Sequence, residues 1–181
     1  MTDDGMPERP QWAIEPLDEQ VDHVRGPDSA GVIVEYGDYG CPYSRRAFRE
    51  IEQVERTLGG GVRFAFRHFP LTEIHPHALA ASVAAEAAAL QDRFWDMPEI
   101  LFYRQQALED DDPRSYAAEL GLDLALFDKD RAGTAVLERI RRDVASGDAL
   151  GLVLGTPTLF IDGVVHRGGY DAATLMEVLT P

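Results

Sequence analysis

A chain of 181 residues is the length of one domain, or of a small domain carrying an insertion, because about 150 residues is what one core organises. Hydrophobic residues at 45% and charged residues at 27% exclude wholesale disorder and fibrous repeats. With 32 acidic against 17 basic residues the formal charge is -15, a field that repels phosphate backbones and anionic headgroups, so neither nucleic acid nor membrane is expected as a partner.

Residues 1–20 hold six acidic side chains and three prolines, the reverse of a basic, apolar export signal, and no apolar run approaches the ~20 residues of a membrane span. The expectation is a soluble cytoplasmic protein whose first 20 residues form an extended arm, with Trp12 and Ile14 available to dock on the body. Val32, Ile33 and Val34, bounded by Gly31 and Gly37, read as a buried strand with Glu35 at its end. Phe48, Ile51, Val54 and Leu58 recur at helical spacing, and after Gly59, Gly60 and Gly61 a second β-rich run covers 62–69.

Residues 77–152 read as helical throughout. Residues 78–90 have high helix propensity, and Asp96 is placed as the cap of a second helix with Pro98 in its first turn; a start near Arg93 would leave Pro98 as a kink. Asp112 with Pro113 opens a third helix that Gly121 ends, Asp123 caps a short fourth, and Val136, Ile140 and Val144 mark a fifth. Strands at 158–161 and 164–166 are joined by Asp162 and Gly163, a strong hairpin signal, and Asp171 caps a final helix. The class is α/β: a mixed sheet of 21–76 and 153–181 interrupted by an inserted helical unit at 77–152.

The chemistry concentrates at Tyr36 through Arg46. The only cysteine, Cys41, excludes an internal disulfide and a zinc site built on thiolates. It follows a strand and precedes Pro42, the entrance of a helix, where unpaired N–H groups and the helix dipole favour a thiolate. Arg45, Arg46 and Arg49 make an acidic chain locally basic there, and both features mark a reactive nucleophile rather than a packing cysteine.

The segment from Glu35 to Ser44 resembles the active-site region of DsbA-like thioredoxin-fold proteins, in which an acidic strand residue stands six positions before Cys-Pro-aromatic-Cys. The likeness continues through Arg67, His68, Phe69, Pro70 and Leu71, through Phe94 and Trp95, and through Gly155, Thr156, Pro157 and Thr158. It implies a thioredoxin fold with a helical insertion, and thiol–disulfide exchange at Cys41 facing a loop with Pro157 in cis. Pro42, Tyr43, Thr156 and Pro157 would then line the substrate surface, the Thr156 backbone turned outward to pair with an extended peptide.

This sequence departs from that pattern at Ser44, which replaces the second cysteine. A monothiol can only form a mixed disulfide with another molecule, so release needs an external thiol: glutathione or another low-molecular-weight thiol, as co-substrate and not as bound cofactor. Arg45 and Arg46 suit the carboxylates of such a thiol. Ser44 either donates its hydroxyl proton to the Cys41 thiolate or is a plain capping or surface serine. Glu35 either is buried, with a raised pKa suited to proton exchange with Cys41, or sits solvated at a wet strand end. His75 and His77 flank Pro76 and read as loop residues with capping or surface roles; together with His68 they only weakly suggest a metal, and none is expected. His23 and His166 stand alone, and 109–112 reads as a solvated acidic loop. The leading function is a monothiol DsbA-like oxidoreductase acting on protein or small-molecule thiols and disulfides, its oligomeric state unknown. Two alternatives share the scaffold: a kappa-type glutathione transferase that uses Ser44, and a non-catalytic peptide-binding module.

Overall fold

The computed structural model describes residues 14–28 and 30–179. Trp12 lies outside the described residues; Ile14 is buried, and its N–H donates to the Gly163 carbonyl at 2.9 Å. Among the described residues the strands are β1 (His23–Arg25), β2 (Gly31–Gly37), β3 (Val62–His68), β4 (Thr158–Ile161) and β5 (Val164–His166). They form one sheet in the order β1-β3-β2-β4-β5, in which only β2 and β3 run parallel. That parallel pair requires a crossover, and α1 (Pro42–Leu58) supplies it.

Helix α1 starts with Pro42, which lacks a donor where none is needed, and it stops at Gly59, whose φ of 54° lets its N–H reach the Glu55 carbonyl. Ala47, Phe48, Ile51 and Val54 form its buried face. They pack with Ile33, Phe64, Phe66, Leu159 and Ile161 from one face of the sheet and with Leu175 of α7 (Ala172–Leu179). The other face carries Val34, Tyr36, Ala65 and Phe160, closed by Ile14, Phe69 and Val153. Period-two alternation along β2 therefore sends Glu35 to the same apolar layer as Ile33.

Between β3 and β4 come α2 (Ala78–Ala89), α3 (Asp96–Tyr103), α4 (Asp112–Glu119), α5 (Leu124–Arg131) and α6 (Thr134–Leu150). Helix α2 is buried almost all round because alanine lets its neighbours approach closely, and it carries one buried charge, Glu86. Asp123 caps α5 by accepting the Leu126 N–H, and Asp171 accepts the Thr174 N–H at the start of α7. Two expected caps fall one residue inside their helices. Asp96 is the first residue of α3 and pairs with Arg93 instead, leaving Pro98 in the first turn; Asp112 is the first residue of α4 and accepts the Glu109 N–H from the preceding loop.

Strand β1 was not expected. It is short and carries His23 and Arg25, so it lacks an apolar signature, and side-chain packing holds it in place. The Arg25 guanidinium lies 4.4 Å from the Trp95 ring and makes a two-pronged bond to Glu55 at 2.7 and 2.6 Å.

Candidate active site

Cys41 occupies the N-cap of α1 with extended backbone (φ -83°, ψ 120°), and its carbonyl accepts the first helical bond from Arg45. The side chain is buried, and its thiol donates to the Thr156 carbonyl at 3.2 Å. The Thr156–Pro157 peptide is cis, and the thiol contact joins the loop before β4 to the helix entrance across 115 positions of sequence. The sequence-predicted residues Cys41, Pro42, Thr156 and Pro157 thus come together. The carbonyl half of the Thr156 backbone is engaged by the thiol, and Thr156 Oγ1 is buried without a hydrogen-bond partner.

Glu35 is not at the end of its strand: β2 continues through Gly37, and Glu35 stands opposite Phe66 on one side and Leu159 on the other. It is fully buried and neither carboxylate oxygen has a hydrogen-bond partner, which removes the solvated alternative. Burial, and next the nearby Cys41 charge, push its carboxyl well above the usual carboxylate range against a smaller pull from Arg25.

Ser44 is wholly buried, and its Oγ accepts the Asp38 N–H at 3.2 Å. It is not a surface serine. Pro42 and Tyr43 are exposed, and the outer face of α1 bears a shallow groove of about 530 Å³ lined by both, by Arg45, Arg46 and Arg49, and by Glu50. None of the three arginines has an ion-pair partner among the described residues; Arg46 lies over the Tyr170 ring at 5.7 Å and Arg49 over Tyr103 at 5.9 Å. Three arginines against one acid, Glu50, in this groove suit an anionic reactant.

Three supports of this loop escaped the sequence. Asp38 is fully buried and accepts the N–H groups of Gly40 at 2.6 Å and Leu71 at 2.8 Å. It also meets His75 Nδ1 at 2.8 Å, so His75 anchors the cysteine loop and does not cap or decorate a surface. Gln105, on the segment after α3, donates from its amide to the carbonyls of both Tyr39 and Cys41 at 2.7 and 2.8 Å. His23 is not alone either: with His68 it converges on Glu86.

A five-stranded mixed sheet, a cysteine at the entrance of the crossover helix, a buried acid beneath it and a cis-proline loop against it define a DsbA-like thioredoxin-fold protein. The family model described as Thioredoxin matches residues 18–180, and the chain belongs to that family. A protein named Na(+)/H(+) antiporter NhaA 1 from Mycolicibacterium gilvum is 44% identical over 169 residues, covering 92% of this chain and 27% of that protein. The chain spans about a quarter of the length of the curated relatives it matches. Among solved structures, BdbD from Bacillus subtilis in its oxidised form superposes with a TM-score of 0.78 at 20% identity, covering 92% of this chain and 95% of that one. The thiol-disulfide exchange protein alpha-DsbA2 from Wolbachia pipientis gives a TM-score of 0.78 at 20% identity, covering 89% and 87%. At such identities these likenesses speak for the fold. No helix among the described residues is long and apolar enough to cross a membrane.

Proposed function

We propose that this protein is a monothiol thiol–disulfide exchange enzyme whose substrate is a protein thiol capped by a small anionic thiol. The observation that carries the reading is the placement of the only cysteine at the mouth of α1, against the Thr156 carbonyl and beside three arginines that have no ion-pair partner among the described residues. The Cys41 thiolate attacks the cap sulfur, the Cys41–cap disulfide forms, and the protein leaves as a thiolate that takes up a proton. A second small thiolate attacks the cap sulfur in turn, the Cys41–sulfur bond breaks, and the products are the symmetrical small disulfide and free Cys41. Glutathione or a similar thiol is the co-substrate, with no cofactor bound, and the cytoplasm is the proposed compartment because it holds that thiol pool.

In this reading Glu35 exchanges protons with Cys41, and Ser44 holds the loop through Asp38. Arg45 and Arg46 take the carboxylates of the cap. Exposed apolar side chains beside the site, Tyr43 at 63% and Leu154 at 82%, receive the polypeptide alongside Pro42, Thr156 and Pro157. The kappa-type alternative needs Ser44 to face a bound thiol, whereas its oxygen is buried against the Asp38 N–H. The antiporter names belong to proteins of which this chain spans a fraction, and ion transport is no part of the reading. Incubation with oxidised glutathione at neutral pH is expected to leave one adduct on Cys41, removed by reduced glutathione; an intact-mass spectrum with no adduct overturns the proposal.

A further inference from the structure

His23 and His68 share one face of the sheet. Strand β1 pairs antiparallel with β3 so that His23 stands opposite Phe66, two residues from His68 along the strand, which makes the two histidines diagonal neighbours. Helix α2 crosses above them and lowers Glu86 between the rings. Glu86 Oε1 lies 2.8 Å from His23 Nε2 and 2.7 Å from His68 Nε2, and the three atoms all fall within 4.8 Å of one another. Both imidazoles are held from behind. His23 is stacked on Phe94 at 3.5 Å between centroids with planes 9° apart, and His68 meets the edges of Phe94 and Phe66 at 6.0 and 5.6 Å.

Two nitrogen lone pairs and one carboxylate oxygen, aimed at one point by fixed rings, form a donor set that borderline divalent metals favour. We propose that His23, His68 and Glu86 bind one zinc ion. Tetrahedral ligands at about 2.0–2.1 Å stand about 3.3 Å apart, farther than Glu86 Oε1 now lies from either Nε2, so Glu86 must retreat to admit the ion. To offer its Nε2 lone pair each imidazole carries its one proton on Nδ1: a neutral ring shifts that proton from Nε2 to Nδ1, and a doubly protonated ring releases the other to solvent. A cavity of about 540 Å³, lined by His23, Glu86, Asp22 and Arg139 among others, reaches two of the three ligands and supplies both an entry path and a water for the fourth position. The ion would clamp β1, β3 and α2 together, away from Cys41.

The test uses the full chain carrying Cys41→Ser, which removes the thiol as a competing ligand, stripped of metal and titrated with cobalt(II) and then zinc. One equivalent of cobalt with visible d–d bands, displaced by zinc, is expected. His23→Ala and Glu86→Gln should each weaken binding roughly tenfold or more, while His75→Ala with His77→Ala should leave it unchanged. His23 is partly exposed, and circular dichroism checks that its variant folds. No cobalt spectrum in metal excess overturns the site; so does equal binding by a folded His23→Ala protein and by Glu86→Gln.

Discussion

Ionising Glu35 would set a charge in the apolar layer between β2 and α1 with no hydrogen bond to hold it, so folding raises the pKa of this carboxyl. The unfolded chain releases it near pH 4.5. The native state then binds more protons than the unfolded one, and the contribution of Glu35, fully present below pH 4.5, is lost as pH rises toward its folded-state pKa. In urea unfolding the wild type should lose stability relative to Glu35→Gln with a slope approaching ~1.4 kcal/mol per pH unit. Parallel curves for the two proteins between about pH 5 and 8 would mean that Glu35 is ionised in the fold. Gln105 acts at the same scale through one amide that serves two buried carbonyls. Gln105→Ala strands the Tyr39 carbonyl and leaves the Cys41 carbonyl with only the Arg45 N–H, at a cost of about 1–3 kcal/mol. Because one of them belongs to Cys41, whose side chain is 4% exposed, alkylation of Cys41 by a neutral reagent should speed up severalfold. An unchanged alkylation rate would show that the loop holds without the amide.

At the scale of elements, close approach at two glycines fixes how the helices seat. A Cβ on Gly37, the last residue of β2, would stand 2.4 Å from the Phe66 ring and 2.9 Å from the Glu35 carboxylate. On Gly147, inside α6, it would stand 2.9 Å from Phe69 and 3.2 Å from Tyr36, a contact that sets the spacing between α6 and the sheet. Alanine gains about 1 kcal/mol of helix propensity at Gly147, while overpacking costs about 1–3 kcal/mol. Gly147→Ala should therefore be neutral to mildly destabilising, and Gly37→Ala clearly worse, with no propensity gain and a buried carboxyl in the way. Equal denaturation midpoints for the two would refute that order. These contacts also explain what the sequence could disclose. The thiol, its helix and its proline were legible because they are neighbours in the chain, and periodicity located β2, α1 and α6. Asp38, His75 and Gln105 were not, since the bonds that tie them to distant segments span 33 to 66 positions and a lone polar residue announces no partner. Strand β1 and the His23 contact failed together, because three residues held by an arginine stack leave no hydrophobic period to read.

Across the whole molecule, a net charge of -15 acts against the three arginines beside Cys41. The two fields differ in range. An anionic disulfide approaching the protein meets repulsion from the many surface carboxylates, and only at the groove does it come within a few ångströms of Arg45, Arg46 and Arg49. The Debye length is about 10 Å at 0.1 M salt, so added salt removes the distant repulsion before it removes the local attraction. Adduct formation between Cys41 and oxidised glutathione should therefore rise modestly as salt is added to the wild type, because the distant repulsion is screened first. Replacing the three arginines by alanine leaves the repulsion alone. That variant should react severalfold more slowly with the anionic disulfide at low salt, and salt should then accelerate it, as expected for like-charged reactants. With cystamine, a cationic disulfide, both proteins should slow as salt rises, the variant more steeply. Stopped-flow rates for the two disulfides at three salt concentrations decide the matter: equal losses with both would make the arginines structural, and a loss confined to the anion would make them the means by which an acidic protein attracts an acidic substrate.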